Sequence, residues 1–321
     1  LFNQINFGRQ IMTTQTQHTP KRDYRQRFFI DGSVVRGDVV KLTDAYQTVI
    51  TQKDYPVALK ALLGEMLVSA SLLISTLKID GKLSIQLQSS DSDARLNWAM
   101  AECDHTGSVR ALAGFDDTNQ NQTVWQHLKS ADEAFGELGK GVLFISIHPD
   151  NGEAYQGIVE RVSDSLGECL AHYQRQSAQI PTIIKLATNE TTAGGILVQL
   201  LPQSDADKEA DPDLWDRLTA LTDTLKTDEL TDLDANEILY RLYHEEDVVL
   251  PSLTPLQFAC TCSSQKSEGA ILQLGYDEAK QAAAAQGGVL TLDCGFCGRE
   301  YRFDDQALAQ LFADGLSNHH K

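Results

Sequence analysis

The sequence predicts an α+β protein in which antiparallel sheets surround one buried core helix, followed by a helical linker and a small C-terminal domain. Three observations support this fold class. One long segment is apolar throughout, short segments of alternating polarity flank it, and the composition turns strongly acidic from residue 203. Strand pairs joined by short turns favour antiparallel sheets, and a helix that is apolar on every side belongs in a core.

The apolar segment lies between Pro56, which suits a first helical position, and Gly81, which suits a helix end. Leucines occupy nearly every side of the predicted helix. Glu65 interrupts the segment, and the remaining apolar run is too short to span a bilayer. We therefore predict a buried core helix and no membrane span.

Strand patterns surround this helix. Leu83, Ile85 and Leu87 alternate with polar residues, which predicts a strand with one buried and one solvent-exposed face. We predict a helix over 164–182 and strands in 26–43, 82–89, 94–103, 108–115, 139–149, 154–162, 182–189 and 194–202.

The domain organisation follows from these patterns. The core domain is predicted to span 24–202. The polar residues 1–23 are predicted to be a disordered extension, within which Met12 is expected to be the natural start.

Residues 203–255 are predicted to form an acidic linker of short amphipathic helices. They contain fifteen Asp and Glu against four Lys and Arg. Asp211-Pro212 is predicted to open one helix, and Asp234 with Glu237 resembles the capping box of another. Because like charges repel and short helices are marginal in water, we expect the linker to fold only while its leucine face is docked.

Two cysteine pairs lie in the predicted C-terminal domain, 256–321. Cys260 and Cys262 are followed, after thirty-one residues, by Cys294 and Cys297. Four thiolates in two close pairs fit a tetrahedral zinc site, although the first pair is closer in sequence than the usual spacing. Because so small a domain lacks a sufficient core, one zinc ion is expected to stabilise it by on the order of 10 kcal/mol.

The cysteines allow two interpretations. Most sites of this kind are inert structural staples, and the spacing alone favours that interpretation. Thiolates are also the oxidisable form of cysteine, so oxidation within each pair would form Cys260–Cys262 and Cys294–Cys297 disulfides and remove the ligands of the ion. The glycine after each cysteine of the second pair permits the tight turn of a zinc knuckle.

Composition and charge exclude several functions. The net charge of −18 argues against nucleic-acid binding and against docking on an anionic membrane. No phosphate-binding glycine motif is present in the sequence, so neither nucleotide use nor an enzyme is predicted. Residues 1–27 lack the apolar run of a signal peptide, and we expect a cytoplasmic protein with reduced thiols.

Cys103 and Cys169 are predicted to be small buried hydrophobic residues.

Two rival functions stay open at this point. A zinc-ribbon protein that binds nucleic acid or a transcription partner would place basic and aromatic groups near the cysteines, as at Arg299, Tyr301 and Arg302. A thiol oxidoreductase would use Cys294 and Cys297, but no predicted helix begins there to lower a thiol pKa.

The sequence resembles the redox-regulated holdase chaperones, the 33-kilodalton heat shock protein family. The resemblance rests on the Cys-x-Cys and Cys-x-x-Cys pairs and on LYRLYHEEDVVL at 239–250, just before them. GGILVQLLP at 194–202 and AYQGIVE at 154–160 also resemble the family's core domain. The resemblance covers about residues 24–314.

This resemblance implies a stress-response chaperone that binds unfolding proteins without ATP. In such a protein the reduced, zinc-bound form is inactive. Oxidation forms two disulfides with loss of zinc, the C-terminal domain and linker unfold, and the active form is a homodimer. The zinc ligands carried over are Cys260, Cys262, Cys294 and Cys297, whereas the resemblance assigns no client-binding residue.

Overall fold

The computed structural model describes residues 3–4 and 22–318. Two compact units are present, Leu1–Phe258 and Ala259–Lys321. Each combines helices with an antiparallel sheet, which confirms the predicted α+β class. Most of the predicted disordered extension at 1–23, including Met12, lies outside the described residues.

The first unit contains two sheets. Its described strands are β1 (Asn3–Gln4), β2 (Tyr24–Ile30), β3 (Val35–Leu42), β4 (Gly81–Ser89), β5 (Leu96–Asp104), β6 (Ser108–Phe115), β7 (Gly141–Pro149), β8 (Tyr155–Val159), β9 (Thr182–Thr188), β10 (Ala193–Leu200), β11 (Val248–Leu250), β12 (Thr254–Pro255) and β13 (Gln257–Phe258). The first sheet has the order β1-β11-β2-β3-β10-β9, with β12 also paired to β2, and the second has the order β13-β6-β5-β4-β7-β8. Neighbouring strands are antiparallel except β13 and β6.

Nine helices belong to the described part of the first unit. They are α1 (Asp44–Ile50), α2 (Val57–Ile74), α3 (Asn119–His127), α4 (Ala131–Gly136), α5 (Leu166–Ser177), α6 (Asp205–Ala210), α7 (Leu214–Asp223), α8 (Thr227–Asp232) and α9 (Ala235–Tyr243). The sequence patterns do not predict α1, α3 or α4, because each is shorter than ten residues and carries too few apolar positions to establish a period.

Helix α2 is the centre of the first unit. It is long and apolar enough to cross a membrane by length and composition, with a mean hydropathy of 1.9, but 78% of it is buried inside the protein. It packs against β3, β9 and β10 of the first sheet and against β4, β5 and β6 of the second. The prediction of a buried core helix is therefore confirmed.

The predicted end of this helix at Gly81 is wrong, since α2 ends at Ile74 and Gly81 begins β4. The Ser75 hydroxyl donates to the Leu72 carbonyl oxygen in the last turn of the helix. Arg27 of β2 donates to the Ser75 carbonyl oxygen at 2.6 Å. The carbonyl group at the helix end is thus hydrogen-bonded by a residue 48 positions away in the chain. The local sequence cannot reveal this contact.

The helices of the predicted linker dock on the first sheet and form one apolar cluster with it. The linker contributes the buried residues Leu214, Leu218, Leu225, Leu230, Ala235, Ile238, Leu239, Leu242 and Tyr243. The sheet contributes the buried residues Tyr24, Phe28, Ile30, Val35, Val39, Ala187, Ile196 and Val198. The linker is thus folded with its apolar face against a partner surface, as short acidic helices require.

Capping within the linker differs in part from the prediction. The Asp234 capping box is confirmed, because its carboxylate accepts from the Glu237 N–H at 2.9 Å and the Glu237 carboxylate accepts from the Asp234 N–H at 2.8 Å. The predicted cap at Asp211 is wrong. Asp213 is the N-cap of α7, and the Asp211 carboxylate instead accepts from Arg217 at 2.7 Å.

Gly194 of β10 lets the linker approach the sheet closely. A Cβ atom at this position would overlap the carbonyl oxygen of Leu230, at the end of α8. We predict that Gly194→Ala weakens linker docking by about 1–3 kcal/mol, because an overpacked contact must be relieved by displacement. Amide hydrogen exchange in α8 and α9 should accelerate. The matched control is Gly136→Ala, where an added Cβ meets nothing within 4 Å, and unchanged exchange in the Gly194 variant would contradict the prediction.

The second unit contains β14 (Val289–Asp293), β15 (Glu300–Asp304), α10 (Ser264–Leu274), α11 (Tyr276–Ala285) and α12 (Asp305–Asn318). The two strands form an antiparallel hairpin. Among the residues that the structure describes, its buried apolar core consists of Ile271, Ala279, Ala283, Leu290, Phe303 and Leu308. Six side chains, two of them alanines, are too few to stabilise an independent domain.

Candidate metal centre

The first cysteine pair lies in the turn that leads into α10. Cys260 and Cys262 precede Ser263, the N-cap of this helix, whose side chain accepts from the Lys266 N–H. The Lys266 ammonium in turn donates to the carbonyl oxygen of Thr261, between the two cysteines, at 2.7 Å. The helix thus fixes the short Cys-x-Cys turn through one of its own side chains.

The second pair lies in the turn of the β14–β15 hairpin. The Cys294 N–H donates to the Arg299 carbonyl oxygen at 2.9 Å, and the Gly298 N–H donates to the Cys294 carbonyl oxygen at 2.8 Å. Gly298 has a φ of +65°, a left-handed conformation that favours glycine. This part of the predicted knuckle turn is confirmed, whereas Gly295 has no positive φ.

The fold brings all four predicted cysteines together. Their Sγ atoms lie within 4.8 Å of one another, and each side chain is partly buried. Cys260 Sγ lies 3.5 Å from Cys294 Sγ, and Cys262 Sγ lies 3.4 Å from Cys297 Sγ. A tetrahedral ion with Zn–S bonds of about 2.3 Å holds its sulfur ligands about 3.8 Å apart. The group is therefore close enough to bind one metal ion, and its donor set suits zinc.

The electrostatic environment differs between the thiols. The neighbouring Tyr301 hydroxyl lowers the pKa of Cys262 to about 7. Burial raises the pKa of Cys297 to about 12 and also raises that of Cys260. Cys262 also precedes the positive end of the α10 dipole, which favours a thiolate. Among Cys260, Cys262 and Cys297, Cys262 is therefore the thiol that ionises most readily, and the thiolate is the form that binds metals.

Sequence patterns did not find two of the residues that support the cluster. The sequence indicates Tyr301 only as an aromatic residue of a possible nucleic-acid surface, yet this residue interacts with Cys262. Its place on β15, four residues after Cys297, is the one sequence signal that could have revealed this. Lys266 carries no signal, because its contact depends on the helix beginning at Ser264.

The two other cysteines belong to the first unit. Cys103 on β5 and Cys169 on α5 are both fully buried, which confirms that they are small core residues. Burial raises the pKa of Cys103 to about 12, so its thiol stays protonated. The Cys169 thiol donates to the Ser163 carbonyl oxygen at 3.4 Å.

Comparison with known proteins identifies the family. The family model described as Hsp33 protein matches residues 23–304. The chain belongs to the Hsp33 family. Hsp33 proteins are chaperones, so an enzyme is not indicated, in agreement with the sequence prediction.

Relatives of known name support this membership over nearly the whole chain. The 33 kDa chaperonin of Pseudomonas aeruginosa strain UCBPP-PA14 is 40% identical over 296 residues, which cover 91% of this chain and 95% of that protein. The 33 kDa chaperonin of Pseudomonas fluorescens strain Pf0-1 is 39% identical over 295 residues, which cover 91% of this chain and 94% of that protein. The crystal structure of the 33 kDa chaperonin of Thermotoga maritima shares the Hsp33 fold, with a TM-score of 0.72 at 18% identity, over 92% of this chain and 99% of that one.

Proposed function

We propose that this Hsp33 protein is a cytoplasmic, ATP-independent holdase that binds unfolding proteins under oxidative stress and is controlled by its four clustered cysteines. The observation that carries the proposal is the combination of this cluster with a docked acidic linker that covers an apolar sheet face. An inert metal staple does not account for the second of these features.

In the reduced state we assign Cys260, Cys262, Cys294 and Cys297 as the ligands of one Zn²⁺ ion. When bound, the ion would supply the positive charge that keeps four close thiolates together and the binding free energy that the small core of the second unit lacks. The cysteines thereby join the turn before α10 to the β14–β15 hairpin.

Oxidation changes this arrangement through the thiols themselves. Each disulfide forms as two thiols lose two protons and two electrons, and one hydrogen peroxide molecule takes these up to give two water molecules. We assign the disulfides to Cys260–Cys262 and Cys294–Cys297. With no free thiolate left, the four residues cease to be metal ligands, and the second unit loses its main source of stability.

The linker is coupled to the cysteines by the chain itself. Strand β12 pairs with β2, β13 pairs with β6, and Cys260 follows β13 after one residue. When the chain around Cys260 loses its structure, strand β13 can separate from β6. The C-terminal end of the linker, just before β13, is then no longer held in place. We propose a core domain at 24–202, a linker at 203–255 and a redox domain at 256–321, with the linker leaving the core sheet on activation and the active protein forming a homodimer.

The proposal is tested with peroxide and mild heat on the purified, reduced protein. We expect zinc release, loss of four free thiols and the appearance of aggregation suppression with a chemically unfolded client, all with the same time course and without ATP. Zinc retention after complete thiol oxidation, or full suppression by the reduced protein, would contradict it. Cys169→Ser is a suitable control, because this cysteine is buried within the first unit and is not one of the four clustered cysteines.

The disulfide assignment has its own test, because the contacts between pairs are as short as 3.4 Å and 3.5 Å in the reduced protein. Peptide mapping of the oxidised protein by mass spectrometry should find no disulfide that connects the peptide of Cys260 and Cys262 with that of Cys294 and Cys297. Cross-linked peptides would show that oxidation joins the two turns instead of separating them.

A further inference from the structure

A polar cavity of about 470 Å³ lies within the first unit, at the C-terminal end of α2. Its walls come from strands β2 and β3, from the residues that follow α2, from the β5–β6 turn and from the segment 251–254. This last segment is the end of the proposed linker. The cavity is therefore complete only while the end of the linker lies on the core, and the holdase function proposed above gives it no role.

Cations outnumber carboxylates in this cavity. Arg25, Arg27 and Lys78 line it together with Asp38 and Asp80, so three cations against two carboxylates leave an excess of one positive charge. Asp80 is exposed to solvent, whereas the side chain of Asp38 is only 1% exposed. In a chain with a net charge of −18, a cavity with positive excess favours an anionic ligand.

The two arginines already hold Asp38 and the end of α2. Arg27 donates to both carboxylate oxygens of Asp38, at 3.2 and 3.1 Å, and to the Ser75 carbonyl oxygen at 2.6 Å. Arg25 donates to the Ser71 carbonyl oxygen at 3.0 Å and lies 3.9 Å from the Asp38 carboxylate. These contacts neutralise the buried carboxylate and cover the helix carbonyl groups, whose partial negative charge would otherwise repel an anion.

Both guanidinium groups retain donors beyond these contacts. Nη1 of Arg27 and Nη2 of Arg25 make no hydrogen bond within the part of the chain that the structure describes. A guanidinium group has five N–H donors and no acceptor, and its planar fork matches the oxygens of phosphate and carboxylate groups. The sheet wall of the cavity can therefore donate to a bound anion without giving up Asp38 or the helix end.

Further donors come from the other walls. Lys78 is exposed and forms no ion pair with any residue that the structure describes. Among the same described residues, the hydroxyl groups of Ser252 and Thr254 have no hydrogen-bond partner. His105, whose Nδ1 accepts from the Gly81 N–H at 2.9 Å, is a fourth group that can carry positive charge. A phosphate group has oxygens on all sides and can accept from several walls at once, whereas a carboxylate has two oxygens in one plane.

We propose that this cavity binds a phosphate-type anion, either inorganic phosphate or the phosphoryl group of a small phosphorylated molecule, and that the bound anion holds the end of the linker on the core. The anion accepts from Arg25 and Arg27 on the sheet and from Lys78 after α2. It also accepts from the hydroxyl groups of Ser252 and Thr254 on the linker wall. The second half of this inference rests on the proposed function, in which the linker leaves the core on activation.

The contacts of the linker wall explain why the anion favours the docked linker. The Gln26 amide donates to the Pro251 carbonyl oxygen at 2.8 Å, and Thr254 is paired with Arg25 between β12 and β2. When this segment leaves, the cavity loses two hydroxyl donors, and water screens the arginines. The anion therefore binds the docked form more tightly, and its binding must shift the equilibrium toward that form.

Binding is tested by isothermal titration calorimetry on the reduced, zinc-loaded full-length protein, with inorganic phosphate and with glycerol 3-phosphate at constant ionic strength. Both probes should bind with saturation at one site. Lys78→Met should weaken binding about threefold, the effect of one exposed ion pair. Lys53→Met is the matched control, because this exposed lysine does not line the cavity, and it should leave binding unchanged. Tighter binding of glycerol 3-phosphate would identify a phosphorylated molecule as the ligand, and equal binding would show that the phosphoryl group alone is recognised.

Coupling to the linker is tested by amide hydrogen exchange in β11 and β12 of the same reduced protein. Phosphate at ten times its dissociation constant should slow this exchange about tenfold, whereas sodium chloride of equal ionic strength should not. Ser252→Ala together with Thr254→Val should bind phosphate more weakly and lose most of this protection. The inference is overturned if neither probe binds with saturation, if Lys78→Met binds as tightly as the unmodified protein, or if phosphate leaves the exchange unchanged.

The outcomes distinguish this inference from the proposed function. If oxidation activates the holdase but neither probe binds the reduced protein, the function stands and the anion site is rejected. If phosphate binds and slows exchange in β11 and β12 but the oxidised protein does not suppress aggregation, the anion site stands and the holdase function is rejected.

Discussion

Replacement of Cys297 by serine is expected to abolish metal binding and to unfold the second unit while the first unit stays folded. Serine removes one of the four proposed thiolate ligands, and binding of a structural zinc ion contributes on the order of 10 kcal/mol in small domains. The six buried apolar residues of this unit cannot replace that contribution. Metal content per chain and the amide exchange of α10, α11 and α12 measure the two effects.

The matched control is Cys169→Ser. The Cys169 thiol donates to the Ser163 carbonyl oxygen, and a serine hydroxyl can make the same bond. This variant should retain one metal ion and slow exchange in the second unit. A Cys297→Ser protein with full metal content and protected amides would show that the second unit does not depend on its cysteines.

The sequence predicts the cluster of four cysteines well, because the residue types of a candidate metal site can be recognised from their local spacing. Four cysteines in two close pairs identify the donor set before any fold is known, and the structure brings their Sγ atoms together. Helix α2 is equally easy to predict from the sequence, since its apolar residues continue over five turns. Both features depend on residues that are near one another in the chain.

Contacts between residues that are far apart in the chain cannot be recognised from a local sequence pattern. The bond from Lys41 to the Leu230 carbonyl oxygen joins residues 189 positions apart, so the sequence shows a lysine in a strand and an acidic helix but not their pairing. The early end of α2 has the same origin, because Arg27 satisfies a carbonyl group that would otherwise need another helical turn. The sequence predicts that the linker needs a partner surface, and only the fold identifies that surface.

Replacement of Leu239 by aspartate should activate the protein without oxidation. Leu239 is fully buried between α9 and the first sheet. Truncating a buried leucine costs about 2–5 kcal/mol, and an unpaired carboxylate in the same place adds several more. Since the linker helices are short and acidic, this loss should exceed what holds them on the sheet, and the reduced variant should suppress client aggregation.

Tyr240→Asp provides the control for Leu239→Asp, since it adds the same charge to the next residue of α9 at a side chain that is 53% exposed. It should leave the reduced protein inactive. Both variants should keep one metal ion and four free thiols in the cluster, because neither residue belongs to the second unit. Activity in the reduced Leu239 variant would show that linker docking, and not the metal itself, keeps the chaperone closed. Rapid linker exchange without client binding would show that release of the linker from the first sheet does not activate the chaperone.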